Sequence, residues 1–145
     1  MTIHVREMQI TDYDSVIQLM QVTPGITVRD ADSKEATARY LERNPGLSLV
    51  AEQDETIIGC VMCGHDGRRG YLQHLIVSTE YSGKGIAQRM VSTCIGQLEK
   101  LGILKTHIDV LVTNKTAIRY WEKLGWKKRD DIYRFSYIKS GSNNT

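Results

Sequence analysis

The chain holds no block of like charges, no long apolar run and no even set of cysteines, and each absence removes a class of function. Its 145 residues carry a formal net charge of +2, with the basic side chains scattered. A nucleic-acid partner is not expected, because a phosphate backbone is gripped by concentrated positive charge. No apolar stretch nears the roughly eighteen residues a membrane span needs, so no membrane partner is expected either. Arg6, Glu7, Asp12 and Asp14 interrupt the first twenty residues, which are therefore not expected to form the apolar core of a signal peptide. Cys60, Cys63 and Cys94 make an odd count, which favours reduced thiols and a cytoplasmic setting. Cys60 and Cys63 form a CxxC inside "IIGCVMCG", but successive strand side chains point to opposite faces. His65 and His74 complete no known zinc spacing. No metal is expected, and the cysteines read as core.

The chain also lacks repeats, linkers and low-complexity stretches. Residues 1–139 read as a single domain, long enough to bury roughly 70% of its unfolded surface. The tail "SGSNNT", residues 140–145, is expected to be disordered. "HVREMQ" alternates as a first strand, and Thr11 with Asp14 opens a helix through Val16, Ile17 and Met20. A second helix follows the capping pair Asp32 and Glu35 and stops before "NPG". "LSLVAEQ", "TIIGCVMCG" and "YLQHLIVS" read as an antiparallel meander. Ile86, Met90, Val91, Cys94, Leu98 and Leu101 then form a helical stripe closed by Gly102. "THIDVLV" is a strand, Asn114 to Leu124 a helix closed by Gly125, and "WKKR" and "IYRFSYI" two final strands. The order is β-α-α-β-β-β-α-β-α-β-β, a mixed α/β fold around one central sheet.

"EYSGKGIAQRM", residues 80–90, sets two glycines at the start of a helix, where propensity suffers. A nucleotide-binding P-loop fails, because Ser78 and Gly85 occupy its diagnostic positions, and a dinucleotide fingerprint fails at Gln88. A plain strand-to-helix turn would explain the glycines. So would an anion cradle, in which converging N–H groups and the helix dipole hold a phosphate with no Cβ in the way.

"LIVSTEYSGKGIAQRMV" followed by "DVLVTNKTAIRYWEKLGW" resembles the GCN5-related N-acetyltransferases, the GNAT superfamily, and the element order matches that fold along nearly the whole chain. Members carry Q/R-x-x-G-x-G/A after the fourth strand, and Ser82, Gly83, Lys84, Gly85, Ile86 and Ala87 align with it, Ser82 replacing the usual Gln or Arg. Asn114, "AI", Trp121 and the Leu124–Gly125–Trp126 run reproduce a second signature. The resemblance implies that the loop holds the pyrophosphate of acetyl-CoA. It also implies a splayed cleft between the strands ending near Val77 and beginning near Asp109, where pantetheine meets the main chain of Leu75, Ile76 and Val77, one of which polarises the thioester carbonyl.

The implied reaction is direct attack of a primary amine on the thioester. An alkyl ammonium with pKa near 10.4 is only about one part in two thousand neutral at pH 7, so a base is needed. Asp109 is the first candidate, because a carboxylate inside a strand is disfavoured and some relatives carry a basic glutamate five residues before the asparagine. Solvent exposure beside His107 is the plain alternative. His74 is the second candidate, with a titration range suited to neutral pH. For the acid, many relatives have tyrosine where Trp121 stands. An indole does not release its proton, so Trp121 reads as a pocket wall. Tyr120 lies on the flank of that helix stripe, where core packing competes with an acid role, and Tyr133 is a weaker choice.

Acceptor specificity is expected between Pro24 and Arg39 and in the last hairpin. A small-molecule amine and a peptide N-terminus both fit. The rival reading is a non-catalytic acyl-CoA-binding or sensing module, and a plain structural α/β domain would require both motifs to be accidental. "IYRFSYI" supplies a candidate edge for a homodimer.

Overall fold

The computed structural model describes residues 2–144, and its chain divides into two compact units that meet in sequence between Ile108 and Asp109. In the first unit, β1 (His4–Glu7), β2 (Leu49–Gln53), β3 (Thr56–His65), β4 (Gly70–Val77) and β5 (Thr106–Ile108) form one open sheet in that spatial order. The first three pairings are antiparallel and β4–β5 is parallel. The parallel step requires a crossover connection, which α3 (Ile86–Lys100) supplies.

Strand alternation decides how the sheet is covered. Cys60 and Met62 of β3 join Val50, Ile76 and the α1 (Tyr13–Gln21) residues Val16, Leu19 and Met20 in one buried cluster. Tyr40 and Leu41 of α2 (Lys34–Arg43) pack against it. α3 buries Ile86, Met90, Val91, Cys94 and Leu98, and its Met90 and Leu98 side chains lie close to Gly59 and Gly70. All three cysteines are free and buried. Burial pushes the Cys60 thiol up to about 12, so it behaves as a small apolar side chain.

The helix starts differ from expectation in instructive ways. A 3-10 turn, Ile10–Asp12, precedes α1, and the Asp12 carboxylate accepts the Gln9 amide at 2.9 Å. Asp32 does the same for the turn Asp30–Asp32, accepting the Arg29 amide at 2.9 Å. Ser33, which accepts the Ala36 amide at 3.1 Å, is therefore the N-cap of α2. Ser and Asp are equally competent caps, so composition alone did not separate them.

Among its described residues the second unit contains one helix, α4 (Lys115–Lys123), with Asn114 as N-cap. Here the structure corrects the sequence reading, because among the described residues no strand follows Ile108. β5 stops three residues into "THIDVLV", and "WKKR" and "IYRFSYI" are not strands. Tyr133, Phe135 and Tyr137 are 91%, 95% and 87% exposed. Alternation supplies a face, but a strand also needs a neighbour to take its hydrogen bonds. Ser140 and Ser142 accept the amides two residues on at 3.1 Å. Thr145, at the end of the expected disordered tail, lies outside the described residues.

Candidate active site

After β4 the chain makes a 3-10 turn, Thr79–Tyr81, and enters α3 through Ser82 to Gly85. The Ser82 amide and hydroxyl both donate to the Thr79 carbonyl, at 3.2 and 2.8 Å. Tyr81 is anchored by its hydroxyl, which donates to Gln53 Oε1 at the end of β2. Gly83 and Gly85 both have φ of +76°, and a Cβ at either would meet nothing within 4 Å. Glycine is therefore required by backbone angle, since an L side chain in this region costs about 1–2 kcal/mol. The space beside it stays open. Among the described residues no acceptor takes the amides of Gly83 to Gln88, α3 has no side-chain cap, and its first turn carries no acid. A helix start with free N–H groups and a positive dipole end is an anion site. Lys84 stands at its rim, its Nζ 6.0 Å from the centre of the Tyr81 ring.

β4 leads into this loop with one edge open. It pairs β5 only from Gly70 to Leu72, so Gln73 to Val77 have no strand partner on that side. On the other side the register against β3 breaks. Cys60 faces Ile76 and Met62 faces Gln73, so Val61 faces both His74 and Leu75. This is a bulge, which re-aims a side chain. His74 takes up the distortion with φ of +51°. Among the described residues the other non-glycine positive-φ positions, Asp54 and Glu55, occupy the β2–β3 hairpin turn.

The His74 imidazole does not stand alone. Its Nε2 lies 2.9 Å from Asp32 Oδ1, with the two side chains 18% and 11% exposed. Burial pushes the Asp32 carboxyl upward, but the His74 contact and the Arg29 amide outweigh it and hold it below its ordinary range. Tyr13 of α1 donates its hydroxyl to the Asp32 carbonyl at 2.6 Å. Sequence reasoning used Asp32 only as a helix cap and missed this pairing. The signal available was its place in the loop expected to meet the acceptor.

In the second unit, Asn114 spends its side-chain oxygen on the Ala117 amide at 3.1 Å. Trp121 is buried, with ring centroids 5.2 Å from Tyr120 and 4.5 Å from Trp126. The Tyr120 hydroxyl is buried without a partner, and burial raises its pKa. An orphaned buried hydroxyl is costly, and Tyr120 shares this state with Tyr40. Asp109 lies beyond β5, outside any strand, and is exposed. Its Oδ1 accepts a hydrogen bond from Arg134 at 3.1 Å. The strand argument for Asp109 therefore falls away. His107, its expected neighbour, lies beside Tyr71, the register partner on β4, with ring centroids 5.8 Å apart and planes inclined by 41°.

No described helix is long and apolar enough to cross a membrane. The profile of the Acetyltransferase (GNAT) family matches residues 13–126. An acetyltransferase of Yersinia pestis (strain Pestoides F) is 34% identical over 128 residues, spanning 88% of this chain and 90% of the relative. One from Pectobacterium atrosepticum is 33% identical over the same shares. In fold the chain is similar to the PaiA N-acetyltransferase of Thermoplasma acidophilum, solved with coenzyme A. That match has a TM-score of 0.79 and 24% identity, over 90% of this chain and 92% of that one. It is also similar to the ribosomal-protein-S18-alanine N-acetyltransferase of Escherichia coli, with a TM-score of 0.71 and 20% identity over 86% and 77%. With its glycine-gated helix start, open β4 edge and family profile over most of its length, the chain belongs to the acetyltransferase (GNAT) family.

Proposed function

We propose that the protein transfers an acetyl group from acetyl-CoA to a primary amine, on a small molecule or a peptide N-terminus, by direct attack. The observation that carries this reading is the run of amides from Gly83 to Gln88 without an acceptor among the described residues, with open space where side chains would stand at Gly83 and Gly85. It fits a diphosphate, whose oxygens need several converging donors. In this reading Ser82, Gly83, Lys84, Gly85, Ile86 and Ala87 hold the diphosphate. Leu75, Ile76 and Val77 offer main chain to the pantetheine arm along the open edge of β4, as an added strand would. Asn114 and Trp121 complete the cofactor contacts. The three buried, free cysteines are consistent with a reducing cytoplasm.

Acetyl-CoA supplies the thioester carbon that the amine attacks and departs as the thiol. The acceptor arrives as an ammonium and must lose two protons to become an amide. His74 takes the first and passes it to solvent. Tyr120 gives a proton to the departing sulfur and recovers the second from the new amide nitrogen. Its hydroxyl, without a partner among the described residues, is free to donate to that sulfur. His74 is preferred to Asp109 because Asp109 is exposed and engaged by Arg134.

The test is thiol release from acetyl-CoA across a panel of amines. His74→Gln should lower kcat at least about tenfold, within the usual contribution of a general base, while Asp109→Ala should change it less than twofold. Equal losses in both would overturn the assignment. Coenzyme A binding with no amine turned over would favour a sensing module instead.

A further inference from the structure

We propose that Asp32 is a positioning residue that fixes the His74 imidazole in its Nε2–H tautomer, leaving the Nδ1 lone pair to accept the proton of the acceptor ammonium. The inference rests on the reading of His74 as base, and its test separates the two. An ionised carboxylate only accepts hydrogen bonds. Both Asp32 oxygens are occupied, Oδ1 by His74 Nε2 and Oδ2 by the Arg29 amide, each at 2.9 Å. Nε2 must therefore carry the hydrogen. In a neutral imidazole the other nitrogen is then bare, and Nδ1 makes no hydrogen bond among the described residues.

The backbone points the same way. His74 holds a left-handed conformation inside a strand, at the bulge opposite Val61. Such a residue persists only where its surroundings over-determine it, and these positions cluster at functional sites. Two contacts do so here. Cys60 Sγ donates to the His74 carbonyl at 3.4 Å, and Asp32 holds the ring. Asp32 is itself buried and tied to α1 through Tyr13. When Nδ1 takes the proton, the imidazolium forms beside an ionised carboxylate that stabilises it, as the aspartate does in a Ser-His-Asp triad. The proton then leaves Nδ1 for solvent, and Asp32 stays ionised throughout.

The isosteric variant Asp32→Asn makes a sharp prediction. The Arg29 amide still demands an oxygen, so the asparagine must turn its NH2 group toward Nε2. Nε2 then has to accept, and the proton moves to Nδ1, which removes the base. Long-range proton–nitrogen spectra of histidine-labelled protein, with the His74 signal assigned by loss in His74→Gln, should report Nε2–H in the wild type and Nδ1–H in Asp32→Asn. Acetyl transfer should fall at least tenfold in kcat with KM changed less than threefold. An Nδ1–H tautomer in the wild type would overturn the proposal, and this arm needs no variant to fold. An unchanged tautomer or an unchanged kcat in Asp32→Asn would also overturn it, provided His74→Gln is impaired. If the tautomer switches while neither variant loses activity, it is the reading of His74 as base that fails.

Discussion

In residues 1–108, β3 carries Gly59, Val61 and Cys63 on one side and Cys60 and Met62 on the other, and all of them are buried. In residues 109–145, Tyr133, Phe135 and Tyr137 alternate just as regularly with Ile132, Arg134, Ser136 and Ile138, yet all seven are exposed. The patterns are alike in sequence and opposite in outcome. β3 has a strand on each side to complete its hydrogen bonds and a helix over each face. Alternation therefore names the faces of a strand, whereas a neighbour decides whether the strand exists. Two of the proposed chemical features lie in the first unit: the candidate anion cradle follows β4, and His74 of β4 meets Asp32 of the turn before α2.

Substitutions can break or sharpen this contrast. The largest effect is expected at Leu72, which is 1% exposed in β4. Leu72→Ala should cost about 2–5 kcal/mol by urea unfolding, from lost transfer energy and the cavity left behind. Gly85→Val comes next. A β-branched residue at φ of +76° bears about 1–2 kcal/mol of strain, and calorimetry should find acetyl-CoA bound roughly tenfold more weakly. Smaller still is a pH effect. Asp12 is held below its ordinary range by its hydrogen bonds to Arg6, which outweigh burial. A lowered carboxylate stabilises the fold above the ordinary range, and that contribution disappears as pH falls through the folded value. Asp12→Asn should therefore flatten the acid limb of a stability-versus-pH curve and leave its alkaline limb unchanged. Phe135→Ser should be the mildest, within about 0.5 kcal/mol, as for surface sites that touch little. A large loss there would mean that the second unit's alternation is buried after all.

Much of the paired region could be read beforehand because its signals are local. Of the stripe from Ile86 to Leu101, all but the last became the buried face of α3, whereas Leu101 is the C-cap and exposed. Gly83 and Gly85 did mark backbone angles that other residues avoid. What escaped notice depends on pairs distant in sequence. Asp32 meets His74 across forty-two positions, and the bulge that turns His74 toward it arises from the β3–β4 register. Neither leaves a mark on nearest neighbours. Asp109 shows the converse, because reading it as a strand residue gave it a significance that its exposed pairing with Arg134 does not support.

The most direct trial of the account is an amide-resolved titration with coenzyme A, following the N–H signals along the chain. The amides of Gly83 to Gln88, which have no acceptor among the described residues, should show the largest shifts and saturate together. Saturable binding that leaves those six amides unmoved would contradict it.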